Sequence, residues 1–390
     1  MTIGIDKIGF ATSQYVLKLQ DLAEARGVDP EKFSKGLLLN EISIAPLTED
    51  IVTLAASVSN SILTDKEKEE IDMVIVATES GIDQSKAAAV FVHGLLGIQP
   101  FARSFEIKEA CYGATAALHY AKLHVENSPE SKVLVIASDI AKYGVGTPGE
   151  PTQGAGSVAM LITQNPRIMA FNNDNVAQTR DIMDFWRPNY SSTPYVNGMY
   201  STQQYLDCLT TTWGEYKKRY DWTMDDFAAI CFHLPYPKLA LKGLRKMMDK
   251  TLSQEKKDSL QENFDKSILY SQMIGNIYTG SLFLGLLSLL ENAETLKAGD
   301  KIALYSYGSG AVSEFFSGEL VEGYEAYLDK ERLSKLKQRT ALSVADYEKV
   351  FFEEVQLDES GSAQFAAYEH QDYALVEIVD HQRRYSKVEK

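Results

Sequence analysis

Four short runs along the chain are almost wholly apolar: "MVIVAT" (73–78), "VLVIAS" (133–138), "AAICF" (228–232) and "IALYSY" (302–307). Runs of that length without polar alternation read as strands covered on both faces. Between them the period changes. Lys86 to Leu96 and Gly113 to Val125 carry apolar residues at helical spacing, with Ala114, Ala117, Leu118, Ala121 and Val125 on one stripe. Strand and helix in alternation predict an α/β protein with a largely parallel sheet. The alternation breaks from about 164 to 201, a stretch rich in Asn, Pro, Ser and Thr. Loops this long are functional or disordered, and Phe185, Trp186 and Tyr195 favour an ordered loop that packs on something. The last 60 residues read as a mixed-charge surface helix plus a closing segment.

The pattern also repeats. "GAGSVA" begins at Gly154 and "GSGAVS" at Gly308, while "MVIVATE" ends at Glu79 and "AAICFH" at His233; both pairs are 154 residues apart. Two landmarks sharing one offset predict a duplicated α/β unit that places Glu79 and His233 at related strand ends. In α/β sheets ligands bind beyond the carboxyl ends of strands, where both residues would stand.

Composition narrows the function classes. The chain has 390 residues, 45% hydrophobic and 24% charged, which suits a soluble globular protein of two packed halves. A net charge of −15 argues against nucleic acid or an anionic membrane as partner. The longest apolar run, "SLFLGLLSLL", is well short of the roughly 20 residues that span a bilayer. "MTIGIDKIGF" reads as a strand and not as a leader. Three scattered cysteines, Cys111, Cys208 and Cys231, make no disulfide framework and point to the reduced cytoplasm.

Three residues could carry chemistry. A single cysteine in such a protein is ordinarily an inert buried hydrophobe. Cys111, however, falls where the strand "FARSFEI" turns into a helix, and its placement in the first helical turn would lower the thiol's pKa. Gly113 and Ala114 beside it would leave room for a substrate. His233 ends an apolar strand ahead of a proline turn, where the alternative is a hydrogen-bonded core-edge histidine. Glu79 ends another strand, where the alternative is a helix cap; Thr78 or Ser80 could cap equally well, and a strand-end carboxylate is where an acid–base group belongs. "EPTQGAGSV" and "SYGSGAV" could bring backbone N–H groups to an oxyanion. "GNIYTGSLF" places Asn276 before a helix of small and apolar residues.

With these pieces in view, "VATESGIDQSKA", "FEIKEACYGATAAL", "SDIAKYG", "GEPTQGAGSVAML", "DFWRP", "CFHLPYPKLALK", "GNIYTGSL" and "YSYGSGAVSEFF" together resemble the thiolase superfamily, and within it the bacterial hydroxymethylglutaryl-CoA synthases. The matches run in family order from about residue 70 to 320. The resemblance implies a thiolase-like five-layered α-β-α-β-α fold from two duplicated halves. It implies a nucleophile-bearing half over 1–165, an active-site loop region over 166–205, and a second half with a helical extension over 206–390. It makes Cys111 the acylated nucleophile, Glu79 the general acid/base and His233 the residue that orients substrate. Asn276, Ser309, Thr152, Ser201 and Lys242 fall on positions that contact the acyl-CoA, and Asp29 lies near its nucleotide end. Residues 36–44 depart from the family pattern and receive no site.

The implied enzyme is a cytoplasmic homodimer that condenses acetyl-CoA with acetoacetyl-CoA and water, in the mevalonate route to isoprenoids. It needs no metal and no cofactor, both CoA esters being substrates, and no nucleic-acid or membrane partner. The nearest rivals are a decarboxylating synthase of the ketoacyl synthase III type and a polyketide β-branching synthase. A decarboxylating enzyme has no use for a base at Glu79. From another class, a non-catalytic acyl-CoA-binding protein would not need all three reactive side chains.

Overall fold

The structure is a computed structural model that describes residues 2–365, 368–369 and 372–388. Ten strands of the described residues join in one sheet: β1 (Ile3–Ala11), β2 (Ile71–Ala77), β3 (Arg103–Ile107), β4 (Lys132–Ala141), β5 (Gly154–Gln164), β6 (Met169–Phe171), β7 (Val176–Thr179), β8 (Ala229–Phe232), β9 (Lys301–Gly308) and β10 (Val312–Leu320). Their order is β8-β9-β10-β6-β1-β5-β4-β2-β3, with β7 pairing on β10.

The order contains the predicted repeat. Outward from the β1–β6 junction, each half runs antiparallel, antiparallel, then parallel: β1-β5-β4-β2 on one side and β6-β10-β9-β8 on the other. β2 and β8 therefore occupy equivalent places, and Glu79 and His233 follow them. The expected largely parallel sheet is corrected, because only β4–β2, β2–β3 and β8–β9 are parallel. β4 returns directly as β5, and β9 as β10, and a direct return forces antiparallel pairing. Periodicity could not reveal this, since both faces are covered by helices and strands of either sense then read as continuous apolar runs.

The helices that cover those faces are α1 (Ile51–Ile62), α2 (Ala88–Leu96), α3 (Gly113–Asn127), α4 (Gly198–Tyr220), α5 (Pro237–Met247), α6 (Gln254–Ser267) and α7 (Ser281–Asn292). Met73, Ile75 and Ala77 of β2 share one apolar cluster with α3 and α7, whereas Val74 and Val76 share another with α1 and α2. The strand's period of two thus feeds two cores. In the second half, Ile230 and Phe232 of β8 pack with α4, α5 and α6. The cluster around α3 and α7 draws on strands of both halves, Val135 and Ile162 from one and Ile302 and Leu304 from the other.

The stretch from 164 to 201 holds β6, β7, a short hairpin pairing Phe185–Trp186 with Tyr195–Val196, and the start of α4. It is ordered and packs, as its aromatics predicted: Phe185 lies against Tyr143 and Tyr278, and Trp186 stacks on Tyr195. The closing segment contains a helix (Val344–Phe352) and a hairpin of Tyr373–Val379 with Gln382–Lys387. No helix among the described residues is long and apolar enough to cross a membrane.

Candidate active site

Glu79 lies just past β2 and Cys111 in the turn between β3 and α3. The Cys111 thiol donates to Glu79 Oε1 at 3.2 Å. Burial is the main force on Glu79 and raises its pKa to about 8, with the nearby Asp139 charge adding to it. Burial and then the Glu79 carboxylate push the Cys111 thiol well up.

Two expectations about Cys111 are corrected here. It stands outside the helix, since Tyr112 is the N-cap and Gly113 the first helical residue. The helix field fades within its first turn, and burial beside carboxylates outweighs it. A thiolate at Cys111 thus depends on Glu79 taking its proton. Nor do Gly113 and Ala114 leave space for a substrate. Ala114 is fully buried, and a Cβ on Gly113 would already touch Ala77 and Thr279 at 3.5 Å.

Asp139, at 0% exposure, organises the strand ends. Its Oδ1 accepts from the Glu79 N–H (2.9 Å), the Thr78 hydroxyl (2.9 Å) and the Ser80 hydroxyl (2.8 Å), and its Oδ2 accepts from the Thr279 N–H (3.1 Å). These bonds favour its charge, but burial prevails and raises its pKa. Glu79 is accordingly no helix cap. Thr78 and Ser80 instead serve Asp139, and the Ser80 N–H bonds Thr78 Oγ1.

Asn276 is held through both ends of its amide. Its Oδ1 accepts from the Tyr278 N–H (2.9 Å) and the Ser281 hydroxyl (2.7 Å), which secures the entry to α7. Its Nδ2 donates to the Tyr143 hydroxyl at 2.9 Å. Tyr143 and Tyr278 meet edge-on at 5.9 Å, with Phe185 about as far from each. Glu79 and Cys111 act electrostatically on both tyrosines, so this aromatic wall borders the reactive pair.

His233 directly follows β8, its N–H donating to the Tyr305 carbonyl at 2.8 Å. It is 2% exposed and its Nδ1 has no partner. Burial lowers its pKa to about 3, so the ring is neutral at ordinary pH. Ser309 sits in the turn between β9 and β10, and that turn abuts the nucleophile: a Cβ on Gly308 would fall 2.7 Å from the Glu109 carbonyl and the Tyr112 nitrogen. The Gly310 N–H is already engaged by Asp184 Oδ1 at 2.9 Å, and the same carboxylate receives the Tyr307 hydroxyl at 2.7 Å.

Thr152 reaches this group through its backbone, its carbonyl accepting the Asn276 N–H at 3.1 Å, while its hydroxyl bonds Gly149. Asp29, Ser201 and Lys242 do not join. Asp29 is exposed and its Oδ1 accepts the Glu31 N–H at 2.9 Å, Ser201 stands in the first turn of α4, and Lys242 is exposed on α5. Asp139, Tyr143, Tyr278, Asp184 and Arg187 were not selected from the sequence as site residues. Asp139 carried a usable signal, an acid ending the apolar run "VLVIAS" just as Glu79 ends its own.

Family models for the N-terminal and C-terminal parts of hydroxymethylglutaryl-coenzyme A synthase match residues 2–167 and, in two overlapping pieces, 175–265 and 245–387. The chain is 54% identical to a hydroxymethylglutaryl-CoA synthase of Enterococcus faecalis, over 92% of this chain and 94% of that one. It is 31% identical to a polyketide 3-hydroxy-3-methylglutaryl-ACP synthase of Bacillus subtilis, over 90% and 88%. Among solved structures, an HMG-CoA synthase complexed with CoA is 68% identical and superposes over the whole of both chains with a TM-score of 0.99. A mixed α/β sheet built twice, a cysteine held against a strand-end glutamate, and likeness of this extent together place the chain in the hydroxymethylglutaryl-CoA synthase family.

Proposed function

We propose that the chain condenses acetyl-CoA with acetoacetyl-CoA and water to give 3-hydroxy-3-methylglutaryl-CoA and CoA. The observation that carries this reading is the 3.2 Å contact between the Cys111 thiol and the Glu79 carboxylate. Glu79 takes the thiol proton, the sulfur attacks the thioester of acetyl-CoA, and CoA leaves with a proton as its thiol. Glu79, again a carboxylate, removes a proton from the methyl group of acetyl-Cys111. The resulting enolate adds to the ketone carbon of acetoacetyl-CoA, whose oxygen leaves the step as an alkoxide and gains a proton. Water then cleaves the Cys111 thioester, which restores the thiol and frees the new carboxyl group.

His233, neutral and buried, suits hydrogen bonding to the acceptor ketone rather than charge pairing, with Asn276 beside it in the reading. Ser309, Thr152, Ser201 and Lys242 are assigned to the acyl-CoA and Asp29 to its nucleotide end. The same reading takes the fold as the thiolase-like five-layered arrangement, divided at 1–165, 166–205 and 206–390, and the enzyme as a cytoplasmic homodimer. A carrier-protein substrate is the second reading, since polyketide relatives act on one. The higher identity to the CoA-named relative, 54% against 31%, favours CoA.

Incubation with acetyl-CoA alone is the test. The protein should gain one acetyl group, mapped to Cys111, and Cys111→Ser should stay folded without gaining it. An adduct on Cys208 or Cys231, or one that survives the substitution, overturns the assignment.

A further inference from the structure

Arg187 does nothing in the reaction as written above, yet it reaches the catalytic strand end. It belongs to the segment Asp184–Arg187, three of whose four side chains contact three separate parts of the site. Asp184 holds the turn that carries Ser309. Phe185 packs on Tyr143 and Tyr278, the wall beside Asn276. Arg187, half-buried, donates from its guanidinium to the backbone carbonyl of Glu79. The outer side of this hairpin is open to water, with Tyr190 87% exposed. A cation is therefore held inward from a surface hairpin onto the residue assigned as the base.

The charges around Glu79 make that cation matter. Cys111 and Glu109 face it from the β3–α3 turn, Asp139 from β4, and Tyr143 and Tyr278 from the segments beyond β4 and before α7. Each of these is anionic or neutral, whereas Arg187 is positive. Burial and Asp139 favour the protonated acid, whereas a nearby guanidinium favours the carboxylate that the proton abstraction requires. We propose that Arg187 is a positioning residue for the base step, fixing the strand end that bears Glu79 and supplying the positive charge that keeps its carboxylate available. This rests on the function proposed above.

The test compares pH profiles of condensation for wild type, Arg187→Met and Arg187→Lys, with acetylation of Cys111 and thermal stability measured alongside. Removing the cation should move the acidic limb upward by about one pH unit, the low end of the roughly one to three that a nearby opposite charge is worth. Below the limb the rate should then fall about tenfold. Arg187→Lys keeps the charge and should restore the limb. If the Met variant does not fold, Arg187→Gln, which keeps a donor for the Glu79 carbonyl, takes its place. A merely structural clip would lower the rate equally at every pH, and a limb that stays put in the Met or Gln variant overturns the proposal. Failure of wild type to condense the two CoA esters would instead overturn the function itself.

Discussion

A group that strips a proton from a thioester's methyl works best with a pKa near the operating pH. Burial beside Asp139 brings Glu79 to about 8, far above an ordinary carboxylate. The working form is the carboxylate, so kcat/KM should climb about tenfold per unit below pH 8 and level off above it. His233, already neutral from about pH 3 upward, should add no limb of its own. Glu79→Gln keeps the size and removes the acceptor. That variant should form little condensed product, with a loss of about 10²–10⁴-fold, and should no longer exchange the methyl hydrogens of an acetyl-enzyme analogue in D2O. A near wild-type rate would mean that another group forms the enolate. Glu79 and His233 were legible in the sequence because each follows a plain apolar run, and Cys111 because it stands where a strand turns into a helix. The state of the thiol was not. It depends on which side chains fold against it: burial and the Glu79 carboxylate raise the pKa, and the helix itself starts two residues further on, at Gly113.

Elements set that boundary and also hold the site from behind. Arg26, which follows the helix Leu19–Ala25, grips the buried Glu150 carboxylate at 3.0 and 2.8 Å. The Tyr347 hydroxyl donates to Glu150 at 3.2 Å and accepts from Gln153 Nε2 at 2.9 Å. Gln153 Oε1 in turn receives the N–H groups of Tyr143 (2.8 Å) and Gly144 (3.2 Å), so the chain of bonds ends at the residue that meets Asn276. Arg26→Met strands a buried carboxylate and should cost about 2–3 kcal/mol in urea unfolding. Adding Glu150→Gln should recover most of that loss, and a double variant as unstable as the sum of the two singles would show that the pair is not coupled. The network joins residues more than a hundred positions apart, which is why no local pattern announced it. Strands and helices announced themselves through their period, but the sense of strand pairing did not, because it depends on connections rather than on faces.

At the scale of the molecule, the two halves share one core more than they share backbone. β1 and β6 pair at only two positions, Gly4 with Ala170 and Ile5 with Met169. Around α3 and α7, by contrast, a continuous apolar cluster takes in strands of both halves. The candidate site is divided in the same way, with Glu79, Cys111 and Asp139 from the first half and His233, Asn276 and Ser309 from the second. The halves should therefore unfold together. Of the three tryptophans, Trp213 and Trp222 lie in the second half and Trp186 in the 166–205 stretch before it, so none reports directly on residues 1–165. Ile162→Ala, at a fully buried position of β5 in the first half, should cost about 2–5 kcal/mol. If the shared core couples the halves, tryptophan fluorescence and far-ultraviolet circular dichroism should shift to the same lower denaturant midpoint. Acetylation of Cys111 should be lost over that same transition, because the chemistry needs both halves in place. A fluorescence midpoint that stays at its wild-type value while the dichroism shifts would mean that the halves melt separately and that the cluster between them carries little of the stability.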